Sequence, residues 1–136
     1  MKFESWLRVF GCTDFRGACP TESVELITFF NVLRLKYPPL GRVAIHPRNE
    51  GVRAYAQTMR HKAEGMSVGA ADIIIPGTST FVCELKRKDH TKSKWEKGQQ
   101  EYLQFAHNNG AYVCVALGYE QAIKSVIEWR KIVDNK

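Results

Sequence analysis

Glu84 and Lys86 lie two residues apart at the end of an apolar run that begins at Thr80. In a β-strand, residues two apart face the same way, so this acid and this base would share one surface. The chain contains no other Glu-x-Lys triplet. The alternative interpretation is an ordinary solvated strand edge, on which charged pairs are common.

An aspartate is placed to join this pair across a hairpin. The stretch Pro76-Gly77-Thr78-Ser79 is typical of a turn. If the turn is centred on Thr78, antiparallel pairing sets Ile74 against Val82 and Asp72 against Glu84. Directly opposed residues have Cβ atoms roughly 4.5–5.5 Å apart, which would bring the two carboxylates together.

Two carboxylates this close repel each other unless a positive charge lies between them. Mg²⁺ is the simplest such charge, with Mn²⁺ as a substitute, because it prefers oxygen ligands and keeps part of its water for a substrate phosphate to replace. Beside Lys86, such a metal would activate a water and offset the charge that builds on a phosphorus centre. The residue pattern therefore predicts metal-assisted phosphodiester hydrolysis at Asp72, Glu84 and Lys86.

The second half of the chain alternates between strand and helix patterns. The apolar and β-branched runs predict strands, and Asn109-Gly110 is typical of a helix end. The predicted elements are strands at Ala71–Ile75, Thr80–Lys86 and Ala111–Leu117, and helices at Trp95–Asn108 and Tyr119–Val133. This order predicts an α/β fold with a central mixed β-sheet flanked by helices.

The first half is less regular. Thr21 is a plausible N-cap for a helix that ends near Pro38-Pro39. The remaining predicted elements are a short helix at Phe3–Phe10, an irregular stretch at Gly11–Pro20, a short strand at Arg42–His46 and a mixed loop and helix at Gly51–Glu64.

Composition points to one basic domain. The 136 residues carry 20 Lys and Arg against 14 Asp and Glu, a formal charge of +6, which favours polyanionic partners. No linker, repeat or membrane-spanning run interrupts them, and the first residues lack signal-peptide character, so we expect one soluble cytoplasmic domain over residues 1–136. The cysteines and histidines show no metal-ligand spacing, and Cys83 and Cys114 lie in apolar runs where a buried thiol is ordinary.

Asp72, followed after eleven residues by Glu84-Leu85-Lys86, resembles the PD-(D/E)xK nuclease signature. The surroundings resemble the virus-type replication-repair branch, VRR-NUC, in which a segment like Asn49–Arg53 precedes one like Gly65–Asp72. The family usually has Pro where this chain has Ala71. The resemblance covers about residues 21–130 and leaves residues 1–20 as an N-terminal extension.

The resemblance implies further site residues. A Gln opens the helix after the catalytic strand, as Gln100 does, with Gly110 before the next strand. The backbone carbonyl of Leu85 would complete the metal coordination, and an acid from the first helix would join it. Glu22 best matches that acid, with Glu25 as a competitor.

A basic run follows the predicted site and is interleaved with Trp95. We expect it to follow a phosphate backbone, although a solvated loop would look the same. The predicted DNA contacts are Arg53, Arg87, Lys88, Lys92, Lys94 and Lys97.

By resemblance, the expected activity is that of a stand-alone, phage-type endonuclease that cuts branched DNA in recombination and repair, as a Holliday-junction resolvase does. Such a resolvase acts as a homodimer on four-way junctions. The apolar N-terminal residues would supply its interface or else pack on their own core; they are Phe3, Trp6, Leu7, Val9 and Phe10. The alternatives are a flap- or nick-specific nuclease and a non-catalytic basic DNA-binding module. A restriction-type enzyme is disfavoured because so short a chain leaves little room for base reading.

Overall fold

The computed structural model describes residues 1–48 and 55–134, and for Tyr55 the backbone alone. A 3₁₀ turn lies at His90–Lys92. The strands and helices, in chain order, are β1 (Arg8–Phe10), α1 (Glu22–Lys36), α2 (Pro38–Gly41), α3 (Tyr55–Ala63), β2 (Ile73–Ile75), β3 (Phe81–Lys86), α4 (Gln99–Asn108), β4 (Tyr112–Leu117) and α5 (Tyr119–Asp134).

The four strands form one mixed sheet in the order β1-β4-β3-β2. β2 and β3 are antiparallel, as expected for a hairpin, whereas β4 runs parallel to both β3 and β1. The connection from β3 to the parallel β4 passes through α4, which a parallel crossover requires. The predicted α/β fold with a mixed sheet and flanking helices is confirmed.

Helices cover both faces of the sheet. On one face, the larger apolar core joins α1 and α5 to the sheet, with Phe29, Phe81 and Val126 fully buried. On the other face, a smaller core joins α4 through Leu103 to Val82 and its neighbours. Alternate residues of β3 therefore enter different cores, and the face under α4 is the one that carries Glu84 and Lys86.

The first long helix begins and ends as the sequence predicts. The Thr21 side chain accepts a hydrogen bond from the backbone N–H of Val24 at 3.3 Å, so Thr21 is the N-cap. The helix ends at Lys36, just before the short proline-initiated helix α2. This N-terminus fixes Glu22 and Glu25 in the first helical turn.

The predicted helix over Phe3–Phe10 is wrong. Residues 5 and 6 form a turn, and Arg8–Phe10 add a parallel edge strand beside β4. Val9 packs against the smaller core and Phe10 against the larger one, so the alternation of a strand fits these residues better than a helical face. The predicted strand at Arg42–His46 is reduced to a bridge between Ile45 and Ile74, because α2 occupies the chain up to Gly41.

The helix before Gly110 begins at Gln99 and not at Trp95. Gly98 precedes it with a φ of 86°, a left-handed conformation that interrupts any helix from residue 95. The indole of Trp95 donates instead to the carbonyl of Lys2 at 2.9 Å. The predicted helix within Gly51–Glu64 is present at Tyr55–Ala63, and residues 51–54 lie outside the described ranges.

The apolar N-terminal residues pack on the chain's own core. Leu7 is buried in the smaller core, and Phe3, Trp6 and Val9 pack against it. Cys83 and Cys114 are buried partners on neighbouring strands, as predicted for thiols in apolar runs. Within the described ranges, no helix is long and apolar enough to cross a membrane.

Candidate active site

The hairpin has the register that the sequence predicts. Ile74 pairs with Val82 and Ile73 with Cys83. The next step in this register sets Asp72 opposite Glu84, just beyond the end of β2. Asp72 Oδ2 accepts a hydrogen bond from the backbone N–H of Leu85 at 2.9 Å, which fixes the carboxylate beside β3.

Glu84 and Lys86 are buried and not solvated. Each is 1% exposed, and both lie on the face of β3 that α4 covers. The solvated strand edge is therefore excluded as an interpretation of the Glu-x-Lys triplet. Burying a charge is costly unless it is paired and hydrogen-bonded, so the partners of these two groups decide what the site can do.

The Lys86 ammonium is held by three loop and helix groups. Its Nζ donates to the carbonyl of Lys94 at 2.7 Å and to Gln99 Oε1 at 2.9 Å, and it lies 5.5 Å from the centre of the Trp95 ring. The carboxylates of Glu84 and Glu22 lie at 3.9 and 4.0 Å from the same nitrogen. These contacts fix one positive charge between two acids.

Gln99 connects the lysine to the buried acid. Its Nε2 donates to Glu84 Oε1 at 3.1 Å, while its Oε1 accepts from Lys86. Gln99 Oε1 also accepts from the backbone N–H of Glu96 at 2.8 Å, which fixes the rotamer. A glutamine can serve both ions because its amide offers a donor and an acceptor.

The second oxygen of Glu84 has no hydrogen-bond partner among the described residues. Within residues 1–48 and 55–134, no group forms a hydrogen bond with Oε2, although it is buried. Burial, together with the adjacent charge of Asp72, raises the pKa of Glu84 well above its usual value, and Lys86 offsets only part of that effect.

A divalent cation fits these donors. Asp72 and the free oxygen of Glu84 are hard oxygen ligands side by side, and a cation would satisfy the orphaned atom and relieve the repulsion. In the described part of the chain, no three His, Cys, Asp or Glu side chains converge as a preassembled metal site. Two carboxylate donors leave most of the coordination shell to water or phosphate, an arrangement that suits Mg²⁺.

The two acidic residues in the first turn of α1 lie in different places. Glu22 lies at the site: its Oε2 accepts from the Ser93 hydroxyl at 2.7 Å, and it lines the same cleft as Asp72. Glu25 is buried elsewhere. Its carboxylate accepts a hydrogen bond at 3.1 Å from the backbone N–H of Tyr119, which is the first residue of α5. The geometry thus favours Glu22 over Glu25.

Gln100 is not placed with the carboxylates. It borders a small cavity with Trp6, Trp95 and Leu103, and Gln99 occupies the position predicted for it. The prediction is off by one residue because the helix starts at Gln99, and a step of one residue turns a helical side chain by about 100°. Leu85 lies between Glu84 and Lys86 as required, and its carbonyl as a metal ligand stays a prediction.

The basic run divides between structural and cleft positions. The guanidinium of Arg87 donates to the carbonyls of Cys19 and Pro20 at 2.6 and 2.9 Å, so it fastens the N-terminal segment. Lys88 borders a separate depression beside Gly11 and Leu117. Lys97 lines the cleft of Asp72, whereas Lys92 is exposed and Lys94 lies 3.8 Å from Glu96. Arg53 lies outside the described residues.

His46 is a site residue that the sequence interpretation missed. Its Nδ1 lies 2.7 Å from the backbone carbonyl of Asp72 and 4.0 Å from Asp72 Oδ1. A carbonyl can only accept, so Nδ1 is the protonated nitrogen. The bridge between Ile45 and Ile74 positions the histidine, and this contact joins segments 26 residues apart that carry no local spacing signal.

These groups meet in one open cleft of about 500 Å³. Its polar lining consists of Glu22, His46, Asp72, Glu96, Lys97 and Gln99, and its remaining lining consists of Pro47, Met66, Val68, Gly69 and Ala70. Glu84 and Lys86 lie beneath this cleft. Three residues of the cleft lining lie next to them: Asp72, Glu22 and Gln99.

The fold and the carboxylate site define a class of α/β domain with a mixed sheet and an acidic cleft beside its hairpin. A solved structure described as a "VRR_NUC domain protein" has this fold, with a TM-score of 0.67 and 20% sequence identity over 86% of this chain and 92% of that chain. No family model and no curated protein sequence matches the chain. The resemblance inferred from the sequence is therefore confirmed at the level of the fold.

Proposed function

We propose that this protein is a metal-dependent endodeoxyribonuclease that hydrolyses phosphodiester bonds at the cleft formed around Asp72. One observation carries the proposal: the buried carboxylate of Glu84, beside Asp72 and a fixed lysine, has an oxygen without a hydrogen-bond partner in the described part of the chain. A structural ion pair would satisfy its buried atoms, so the unsatisfied oxygen next to an open cleft supports the binding of a cation there. The fold likeness to a VRR_NUC domain protein supports the same class of activity.

Each residue has a distinct role in the proposed reaction. Asp72 and Glu84 would hold Mg²⁺ or Mn²⁺, with the Leu85 carbonyl completing the set and Glu22 bordering it. When bound, the metal would supply a Lewis acid and a nucleophilic water. Lys86 keeps a positive charge beside Glu84 and stabilises negative charge that develops on the phosphate. Gln99 holds both Glu84 and Lys86 in register.

The proposed DNA contacts are those that the cleft exposes. Lys97 lies in the cleft lining, and Lys92 and Lys94 are exposed on the same connection. Arg87 acts structurally, since two backbone carbonyls hold its guanidinium. The net charge of +6 supports a polyanionic substrate.

For the substrate, we propose branched DNA of recombination and repair intermediates, with a four-way junction cut by a homodimer and a phage-type host setting. Two identical sites related by a twofold axis would cut both equivalent strands. The apolar N-terminal residues are used on the chain's own core, so they lend this dimer no support. A flap- or nick-specific nuclease is the second candidate, since a monomeric site cuts one strand.

The decisive experiment is cleavage of labelled linear, flap and four-way-junction DNA with Mg²⁺, Mn²⁺ or EDTA. Wild-type protein should cut with either metal and not with EDTA. Asp72→Asn and Glu84→Gln, which preserve side-chain size, should be inactive and folded. Lys86→Ala should keep DNA affinity and lose rate. Undiminished cutting in EDTA or in either carboxylate variant would refute this site, and DNA binding without cutting under every condition would favour the non-catalytic module.

A further inference from the structure

The cleft has an apolar lining that the carboxylate chemistry does not use. Pro47, Met66, Val68 and Ala70 border the same space as Asp72 and Gln99. Val68 is 42% exposed, so its apolar side chain is open to a ligand in the cleft. Phosphate chemistry needs charge and hydrogen bonds, so this lining points to an apolar part of the ligand.

Part of this lining, Val68 and Gly69, packs closely against the residue that precedes Gln99. Gly69 lies so close to Gly98 that an added Cβ would be 2.2 Å from the Gly98 carbonyl carbon. An added Cβ on Gly98 would in turn meet Val68 Cγ1 at 2.9 Å. Since Gly98 directly precedes Gln99, the position of Val68 depends on the position of Gln99 and of its partners Glu84 and Lys86. Backbone packing therefore fixes the part of the lining that Val68 contributes.

Access to the acidic site is narrow. Glu84 and Lys86 are each 1% exposed, and the side chain of Asp72 is 21% exposed. A phosphate must enter the cleft to reach Asp72. A volume of about 500 Å³ is in the range of sites for small ligands the size of a nucleotide, and it is far too small for a duplex.

We propose that the cleft takes a single unpaired nucleotide of a DNA strand, with its phosphate toward Asp72 and its base or sugar against Met66 and Val68. This inference rests on the proposed nuclease function and narrows its branched substrate to DNA in which the nucleotide at the cut is unpaired. Pairing and stacking hold a base away from the cleft lining, so contact between a base and Met66 requires an unpaired nucleotide, and extrusion of a nucleotide from a paired stack costs free energy. Lys97, in the same lining, is placed for a neighbouring phosphate.

The test uses three DNAs of one sequence: a single strand, a duplex with an unpaired loop, and a fully paired duplex. With Mg²⁺, initial rates on the single strand and at the loop should exceed those on the paired duplex by about tenfold or more. In EDTA, 2-aminopurine within the loop should change its fluorescence when wild-type protein binds. This second readout does not depend on cleavage.

Matched variants locate the effect. Met66→Ala and Val68→Ser should weaken binding to the unpaired DNAs by about fivefold or more, as expected for losing an apolar contact to a base, and leave binding to the paired duplex unchanged. Ile27→Ser is the control, because Ile27 is 59% exposed on α1 and lies outside this cleft lining.

The outcomes are separable. Equal cutting of paired and unpaired DNA would overturn this inference and leave the proposed nuclease function standing. Failure to cut any of the three DNAs, and also the flap and four-way-junction DNAs, with either metal would overturn the proposed function. The binding measurements in EDTA then decide the inference. Equal affinity of wild-type protein for all three DNAs would overturn it as well. So would a loss of affinity in Ile27→Ser equal to that in Met66→Ala and Val68→Ser.

Discussion

Gln99 Nε2 donates to Glu84 Oε1 at 3.1 Å, and this bond links the first turn of α4 to the buried acid of β3. The same amide accepts from Lys86 through its oxygen. Because Glu84 and Lys86 are both buried, the Gln99 amide helps to fix the orientation of these two charged side chains. Its neighbour Gln100 makes no such link and faces Trp6 and Trp95.

Gln99→Ala is expected to lower the cleavage rate by about tenfold or more, because it leaves two buried ions short of a partner and frees their rotamers. It should also cost about 1–3 kcal/mol of stability, since buried charged groups lose their hydrogen bonds. Single-turnover cleavage and urea unfolding measure the two effects. Gln100→Ala is the matched control and should change the rate by less than about twofold. A larger loss of rate in Gln100→Ala than in Gln99→Ala would contradict the geometry described above.

The hairpin part of this site was predictable because strand and turn rules act over short distances. A turn centred on Thr78 fixes the register, and with it the position of Asp72 relative to Glu84. The N-cap at Thr21 likewise fixes which acids begin α1. These features depend on residues close in sequence, so single-sequence patterns contain them.

What the sequence did not predict depends on long-range contacts. The bond between His46 and the Asp72 carbonyl joins two segments that neither periodicity nor spacing relates. The start of α4 depends on the left-handed Gly98 and its contact with Gly69. The glutamine that opens the helix is therefore Gln99 and not the predicted Gln100. β1 forms because β4 offers a partner, since three residues cannot sustain a strand alone.

Glu22 and Glu25 are expected to respond in opposite ways to neutralisation. Glu22→Gln should lower the cleavage rate by about tenfold at limiting Mg²⁺ and leave stability nearly unchanged, because Glu22 is 40% exposed and borders the proposed cation site. Glu25→Gln should keep the rate within about twofold and cost about 1–2 kcal/mol, because a carboxylate at the N-terminus of α5 is lost. Mg²⁺ titration of the rate and thermal unfolding provide the comparison. The reverse order would move the helix acid of the site to Glu25.

Asp89 is expected to make stability depend on pH in the acid range. The Thr91 hydroxyl and then the Gly17 N–H donate to its carboxylate, and together they lower its pKa from 3.8 to about 2. A lowered folded-state pKa stabilises the protein above the unfolded value, and that contribution is lost as the pH falls from 3.8 toward 2. Asp89→Asn should therefore unfold at lower urea than wild type at neutral pH, and the difference should shrink as the pH falls below about 4. Asp14→Asn, an exposed change in the same region, serves as the control, and a pH-independent difference for Asp89→Asn would show that its charge is not involved.

Two glycines with left-handed backbones distinguish conformational cost from steric contact beside the site. Gly65 has a φ of 99° with open space around it, whereas Gly69 has a φ of 75° and lies against Gly98. Gly65→Ala should cost about 1–2 kcal/mol, the expense of a Cβ in that conformation. Gly69→Ala should cost about 2–5 kcal/mol, because the backbone of Gly98 must also shift. That shift displaces Gln99, so Gly69→Ala should lose cleavage rate under conditions where it remains folded, while Gly65→Ala keeps it. Circular dichroism with urea titration, followed by cleavage assays at a temperature where both variants are folded, separates the two effects, and equal losses of stability and rate would mean that the contact between Gly69 and Gly98 does not position the site.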